Sequence, residues 1–207
     1  MQETININIL ARRNSRVGIE VTPKVRRIAL KPLASGRLWD VTHAPDATQG
    51  WCGPSAMSAL TSRTAEVAAA TLNGIRGDAS ETPITGTEIG EVSQAMNRLG
   101  YLLNAEYVTE EAYAELGTPV PDASVTVGPS LTLSEWAASR AHPKRTRLLD
   151  VTVDGSPHWI AVRGDKVVDS LNPNGSTLAD YGYATVVRRV WEVKLLTGRL
   201  GWDRRAA

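Results

Sequence analysis

Only one of the 207 residues is cysteine. An internal disulfide framework is therefore excluded, and no oxidising compartment is required. No apolar run approaches the roughly 20 residues that cross a bilayer. The opening Met-Gln-Glu-Thr-Ile-Asn is polar and alternating, without the apolar core of a signal peptide. The expectation is a cytoplasmic protein with no membrane partner, with non-classical export or virion incorporation left open. Histidine is scarce at three residues, and no ligand pair has zinc spacing, so no metal is expected. Phosphate loops, dinucleotide fingerprints and Gly-x-Ser-x-Gly elbows are missing, and no cofactor is expected. Internal repeats and low-complexity tracts are missing too. Phenylalanine is absent, for which the sequence supplies no physical account.

What remains is an ordinary globular composition, 42% hydrophobic and 22% charged, long enough to bury a full core. Net charge is +1 but unevenly spread. Residues 1–40 carry eight Lys/Arg against three acids, and residues 185–207 carry six against two. The middle carries nine against seventeen. Basic ends around an acidic centre suit an acidic partner or a larger assembly, or ends that simply lie against the middle. They hold few aromatics to stack on bases, so nucleic acid is not an expected partner.

Ile5–Ile9 alternates strictly, and Arg16–Val21 and Val25–Leu30 are further short strand candidates. Residues 1–40 therefore read as a small basic β extension, and 41–207 as the main domain. From Pro54 to about Leu72 the composition is helical, and Gly74, Gly77 and Pro83 break it. Thr85 and Glu88 form a capping-box pattern ahead of a helix through Leu99, and Thr132 and Glu135 form another ahead of Trp136. A short helix is expected over Thr109–Leu116. After Pro143 strands follow: Arg147–Val153, Trp159–Arg163, Lys166–Leu171 and Thr185–Leu196. Helices first and an antiparallel sheet afterwards argue for an α+β fold.

The single cysteine, Cys52, stands in Gln49-Gly50-Trp51-Cys52-Gly53-Pro54, just where a helix begins. The thiolate is the nucleophilic form of cysteine, and a helix N-terminus stabilises it. Gly50 and Gly53 allow close backbone approach and leave room for a substrate. The competing reading is a buried structural cysteine. About one hundred residues later His158 leads a strand, and Asp169 ends the next one. Gly164-Asp165 is a good two-residue hairpin turn between them. That register pairs Arg163 with Lys166 and places His158 and Asp169 on one face as diagonal neighbours, about 7–8 Å apart at Cα. Asp169 then fixes the imidazole tautomer, or else caps the turn at Ser170–Gly175. Asn172 competes for the orienting role. An oxyanion needs donors, for which the Cys52 backbone N–H and the Gln49 side chain are candidates. Trp51 and Trp159 flank the reacting groups and either wall a cleft or fill the core beneath it.

Trp51-Cys52-Gly53-Pro54-Ser55-Ala56, then His158-Trp159-Ile160-Ala161-Val162 and then Asp169, resembles the papain-like cysteine peptidase superfamily, with the pattern nearest to bacteriocin leader-processing peptidases. The resemblance covers about residues 46–172. It implies a helical half carrying Cys52 as nucleophile and a sheet half carrying His158 as base and Asp169 as orienter. Such enzymes place an oxyanion glutamine about six residues before the cysteine. That position is Asp46 here, and Gln49 lies three before.

The expected function is a thiol hydrolase acting on a peptide or isopeptide bond of a peptide or protein substrate, through an acyl-enzyme. An amine in place of water would make the same site an acyl transferase. The rival class is a non-catalytic module that docks through its basic termini, for which association would weaken steeply with salt.

Overall fold

A computed structural model describes residues 38–41, 50–116, 124–140 and 144–196. The candidate strands up to Leu30 lie outside the described residues, as do Gln49, Asp46 and the two histidines other than His158, the loop residues His43 and His142. The described elements run α1 (Cys52–Thr61), α2 (Ala65–Arg76), α3 (Ile89–Arg98), β1 (Tyr101–Thr109), α4 (Glu110–Leu116), β2 (Thr126–Gly128), β3 (Leu131–Thr132), α5 (Leu133–Arg140), β4 (Thr146–Val153), β5 (Ser156–Arg163), β6 (Lys166–Val168), β7 (Ser176–Thr177) and β8 (Thr185–Leu195). The fold is mixed α+β. No helix among the described residues is long and apolar enough to cross a membrane.

The helical stretch after Cys52 is two helices, not one. Ser62 adopts the left-handed conformation (φ 56°) and closes α1, and the Thr64 side chain then caps α2 by accepting from the Val67 N–H. Helix α2 runs through Gly74 and stops at Gly77 (φ 80°). Helix α3 also starts later than the Thr85/Glu88 pattern predicts, and its capping box is Glu88 with Glu91. Residues 84–88 stay extended because they pack against the start of α1, as described below. The Thr132/Glu135 box is formed as expected: Thr132 Oγ1 accepts from the Glu135 N–H at 3.2 Å, and Glu135 Oε2 accepts from the Thr132 N–H at 2.8 Å.

The strands form one sheet ordered β2-β1-β8-β4-β5-β6-β7, with β3 on β8, and only the β1–β2 pair is parallel. Strand β1 lies inside the sheet although no strand is expected between residue 41 and Pro143. Its sequence does not alternate cleanly, because a bulge between Ala105 and Tyr107 throws Glu106 out of register. Two turns set the β4–β5–β6 meander. Asp154 and Gly155 both take positive φ (47° and 83°), as a type I′ hairpin requires, and Gly164 takes φ 60° at the turn between β5 and β6.

Both faces of the sheet are covered, which is why the runs Leu148-Leu149 and Trp159-Ile160-Ala161-Val162 are continuously apolar. On one face Ala56, Met57 and Leu60 of α1, Leu72 of α2 and Met96 of α3 pack with Leu148, Trp159, Ala161 and Trp191. On the other, Leu133 and Trp136 of α5 and Tyr181 pack with Leu149, Ile160, Val162, Val167 and Val190. Each such Leu or Met contributes about 1.5–3 kcal/mol through burial. Leu38 and Val41 belong to the first cluster. The Trp39 N–H donates to the Ala59 carbonyl at 3.0 Å, and the Val41 N–H to the Pro173 carbonyl at 2.7 Å. Residues 38–41 are thus tied into the same core as the helices.

Candidate active site

Cys52 is the first residue of α1 and is partly exposed. Trp51 occupies the N-cap position, but among the described residues no side chain caps the first-turn N–H groups. Pro54 supplies no N–H of its own. The Cys52 and Gly53 amides therefore stand at the thiol without a side-chain cap.

The loop before α3 holds this helix start in place. Gly50 takes φ 78°, and a Cβ there would overlap the Ile84 carbonyl oxygen. A Cβ at Gly53 would overlap the Thr87 hydroxyl. Gly53 thus does not open space for a substrate: Thr87 fills that space, and the glycine's role is close packing. Trp159 is likewise a core residue. It is buried, packs against Trp191 with ring centroids 5.7 Å apart, and donates its indole N–H to the Thr87 carbonyl at 3.2 Å. It bridges the sheet to the loop that braces Cys52 instead of walling a cleft. Trp51 is partly buried against the helical cluster.

His158 lies on β5 opposite Val151 of β4. On its other side the β5–β6 ladder keeps the predicted register, with Arg163 opposite Lys166 and Val162 opposite Val167. Pairing ends at Ala161–Val168, so Asp169 comes one residue after β6, free of the ladder and able to turn. Its carboxylate is fully buried and takes four donors. Oδ1 accepts from the Leu171 N–H at 3.1 Å and the Asn172 N–H at 2.7 Å. Oδ2 bonds His158 Nε2 at 2.8 Å and accepts from the Tyr181 hydroxyl at 2.6 Å. The two readings of Asp169 are thus not alternatives, because one oxygen caps the turn and the other orients the imidazole. Asn172 gives Asp169 its backbone N–H, and among the described residues its buried Nδ2 has no hydrogen-bond partner.

With Nε2 committed to Asp169, Nδ1 is the ring nitrogen left for the thiol. Burial works against a cationic imidazole here. The hydrogen bond with Asp169, then the hydrogen bond and charge of Cys52, outweigh it and push the His158 pKa up to about 9. Tyr181 is shifted upward by burial and by the adjacent Asp169 charge, so it stays a neutral donor. Cys52 and Asp169, more than one hundred residues apart in sequence, thus both act on the His158 imidazole.

Tyr181 and Thr87 carry weight in this arrangement, and neither belongs to a sequence pattern. Tyr181 sits in a loop without periodicity, and Thr87 is one polar residue among several. The tryptophans Trp51 and Trp159, each adjacent in sequence to a reacting residue, are the one available hint of a braced site.

No protein-family model matches the chain, and neither a curated protein nor a solved structure does.

Proposed function

We propose that the protein is a papain-like thiol hydrolase that cleaves a peptide or isopeptide bond of a peptide or protein substrate. The observation that carries this reading is the His158 imidazole, which bonds Asp169 through Nε2 at 2.8 Å and whose pKa both Asp169 and Cys52 raise. An imidazole that holds its proton at neutral pH is a counter-ion for a thiolate. In the proposed cycle the Cys52 sulfur attacks the carbonyl carbon, forming an S–C bond and pushing charge onto oxygen. The uncapped amides of α1 lie next to that oxygen's position and favour its charge. The C–N bond then breaks as His158 gives its proton to the departing amine. Water, deprotonated by neutral His158, attacks the thioester, and the thiol leaves with its proton restored through the imidazole. Asp169 keeps Nε2 protonated throughout, so that Nδ1 is the working nitrogen.

The test is the pH dependence of Cys52 alkylation by iodoacetamide in the wild type and in His158→Ala. Near pH 6.5 an ordinary thiol is only about 1% ionised, so an ion-paired thiol labels up to about 100-fold faster than the variant. Labelling that follows an ordinary thiol in both proteins overturns the proposal. If the ion pair is present, a peptide and isopeptide screen with Cys52→Ser as the blank identifies the bond. An added amine that diverts the acyl group marks the transferase outcome.

A further inference from the structure

On the sheet face covered by α5 lies a cavity of about 300 Å³, lined by Glu106, Tyr107, Trp136, Arg145, Arg147 and Val190 among others. It is separate from the candidate active site. Arg147 and Val151 are four residues apart on β4, and Val151 is the residue opposite His158, so the two places are about 13 Å apart along the strand.

Arg147 is the unusual member. It is only 4% exposed, and its guanidinium lies over the Trp136 ring, 5.6 Å from the centroid. Its Nε donates to Glu106 Oε2 at 2.6 Å, and among the described residues its two Nη groups have no hydrogen-bond partner. The guanidinium presents five donors in a rigid fork, and its Nη atoms are not buried without a partner, so they keep access to water or a ligand. Arg145 stands at the rim, about half exposed, bonded to Glu106 Oε1 at 2.8 Å and 3.6 Å from Glu192. Glu192 is itself drawn to Lys194 at 3.0 Å. Arg145, Arg147 and Lys194 stand against Glu106 and Glu192, so the cluster around the cavity keeps one positive charge in excess.

We propose that this cavity binds a small organic carboxylate. The planar guanidinium edge of Arg147 matches a planar carboxylate through paired N–H bonds. The unmatched charge suits a monoanion, whereas a phosphate dianion would be set against Glu106. Trp136, Tyr107 and Val190 offer an apolar wall to the body of the ligand.

Sodium benzoate is the probe, with benzamide as its neutral counterpart, and the readout is the NMR shift of the Trp136 indole N–H in the full chain. The expected result is a saturable shift with benzoate and none with benzamide at equal concentration. E106Q keeps an acceptor for Arg147 but removes the opposing charge, and it tightens benzoate about tenfold. A purely structural Arg147–Glu106 pair predicts no such gain. Arg147→Met abolishes the shift; if that variant does not fold, E106Q and the benzamide comparison still decide. Equal responses to benzoate and benzamide, no gain in E106Q, or tighter binding of inorganic phosphate than of benzoate would each overturn the assignment.

Discussion

Helices α2 and α1 begin only thirteen residues apart, yet their first turns are finished differently. Helix α2 starts on Thr64, whose hydroxyl takes up the Val67 N–H. Helices α3, α4 and α5 are likewise capped, by Glu88 with Glu91, by Thr109 and by Thr132 with Glu135. Helix α1 starts on Trp51, whose side chain has no oxygen to offer. Leaving out a cap forgoes about 1 kcal/mol. In return, the donors and the positive end of the helix dipole remain available to a negative charge at Cys52. The difference separates helix starts that serve stability alone from one whose electrostatics are directed at a side chain.

The comparison is tested most severely at the group that holds the site's other charge. Asp169→Ala strips His158, Tyr181 and two backbone amides of a shared acceptor, and chemical denaturation is expected to show a loss of about 3–5 kcal/mol. It also changes the pH profile of stability. Because the folded His158 pKa is raised to about 9, above its ordinary 6.5, the wild type carries a stabilisation that is complete below 6.5 and lost as pH rises through 9. Melting temperature therefore falls from pH 7 to 9 in the wild type, and this part of the slope disappears in Asp169→Ala.

Tyr181→Phe removes one donor from Oδ2 and leaves the ring in place. A hydrogen bond to a charged group is worth about 1.5–3 kcal/mol, and denaturation is expected to lose that amount. With one competitor gone from Oδ2, the carboxylate bonds the imidazole more strongly, so the alkaline limb of the Cys52 alkylation profile moves to higher pH. A limb that stays put would reduce Tyr181 to packing.

Converting α1 to the pattern of its neighbours is the direct intervention. Trp51→Asp supplies a capping carboxylate, and Trp51→Asn supplies a cap of the same shape without the charge. On the acid limb of its profile, alkylation of Cys52 is expected to be about tenfold slower in the Asp variant than in the Asn variant, since there one unit of thiol pKa changes the thiolate fraction by that factor. The smallest effect belongs to the opposite control. Thr64→Ala costs about 1 kcal/mol of stability and leaves the thiol's rate unchanged.

The same contrast explains what was legible in the sequence. Caps that serve structure alone leave local signatures: the Thr132/Glu135 spacing identifies its helix, and Gly164-Asp165 fixes a register that brings His158 to Asp169. Features that answer to distant partners leave none. Residues 84–88 read as a helix start because Thr85 and Glu88 fit the spacing, but Gly50, Gly53 and Trp159 hold them extended. The break at Ser62 is a single left-handed residue within a helical composition. The bulge at Glu106 erases the alternation that would have marked β1. Tyr181 is recognisable only once Asp169 is seen beneath it.

Cys52 is the chain's only thiol, and the groups around it come from residues 158, 169 and 181. Its surroundings thus depend on contacts of very long sequence separation, which form late because the loop between them must close first. Local formation of α1 alone gives the sulfur no imidazole. A pulse of alkylating reagent during refolding would therefore act as a clock with one hand: the labelling rate at a single atom changes when strands β5 and β6 reach the helix, and no probe has to be introduced to read it.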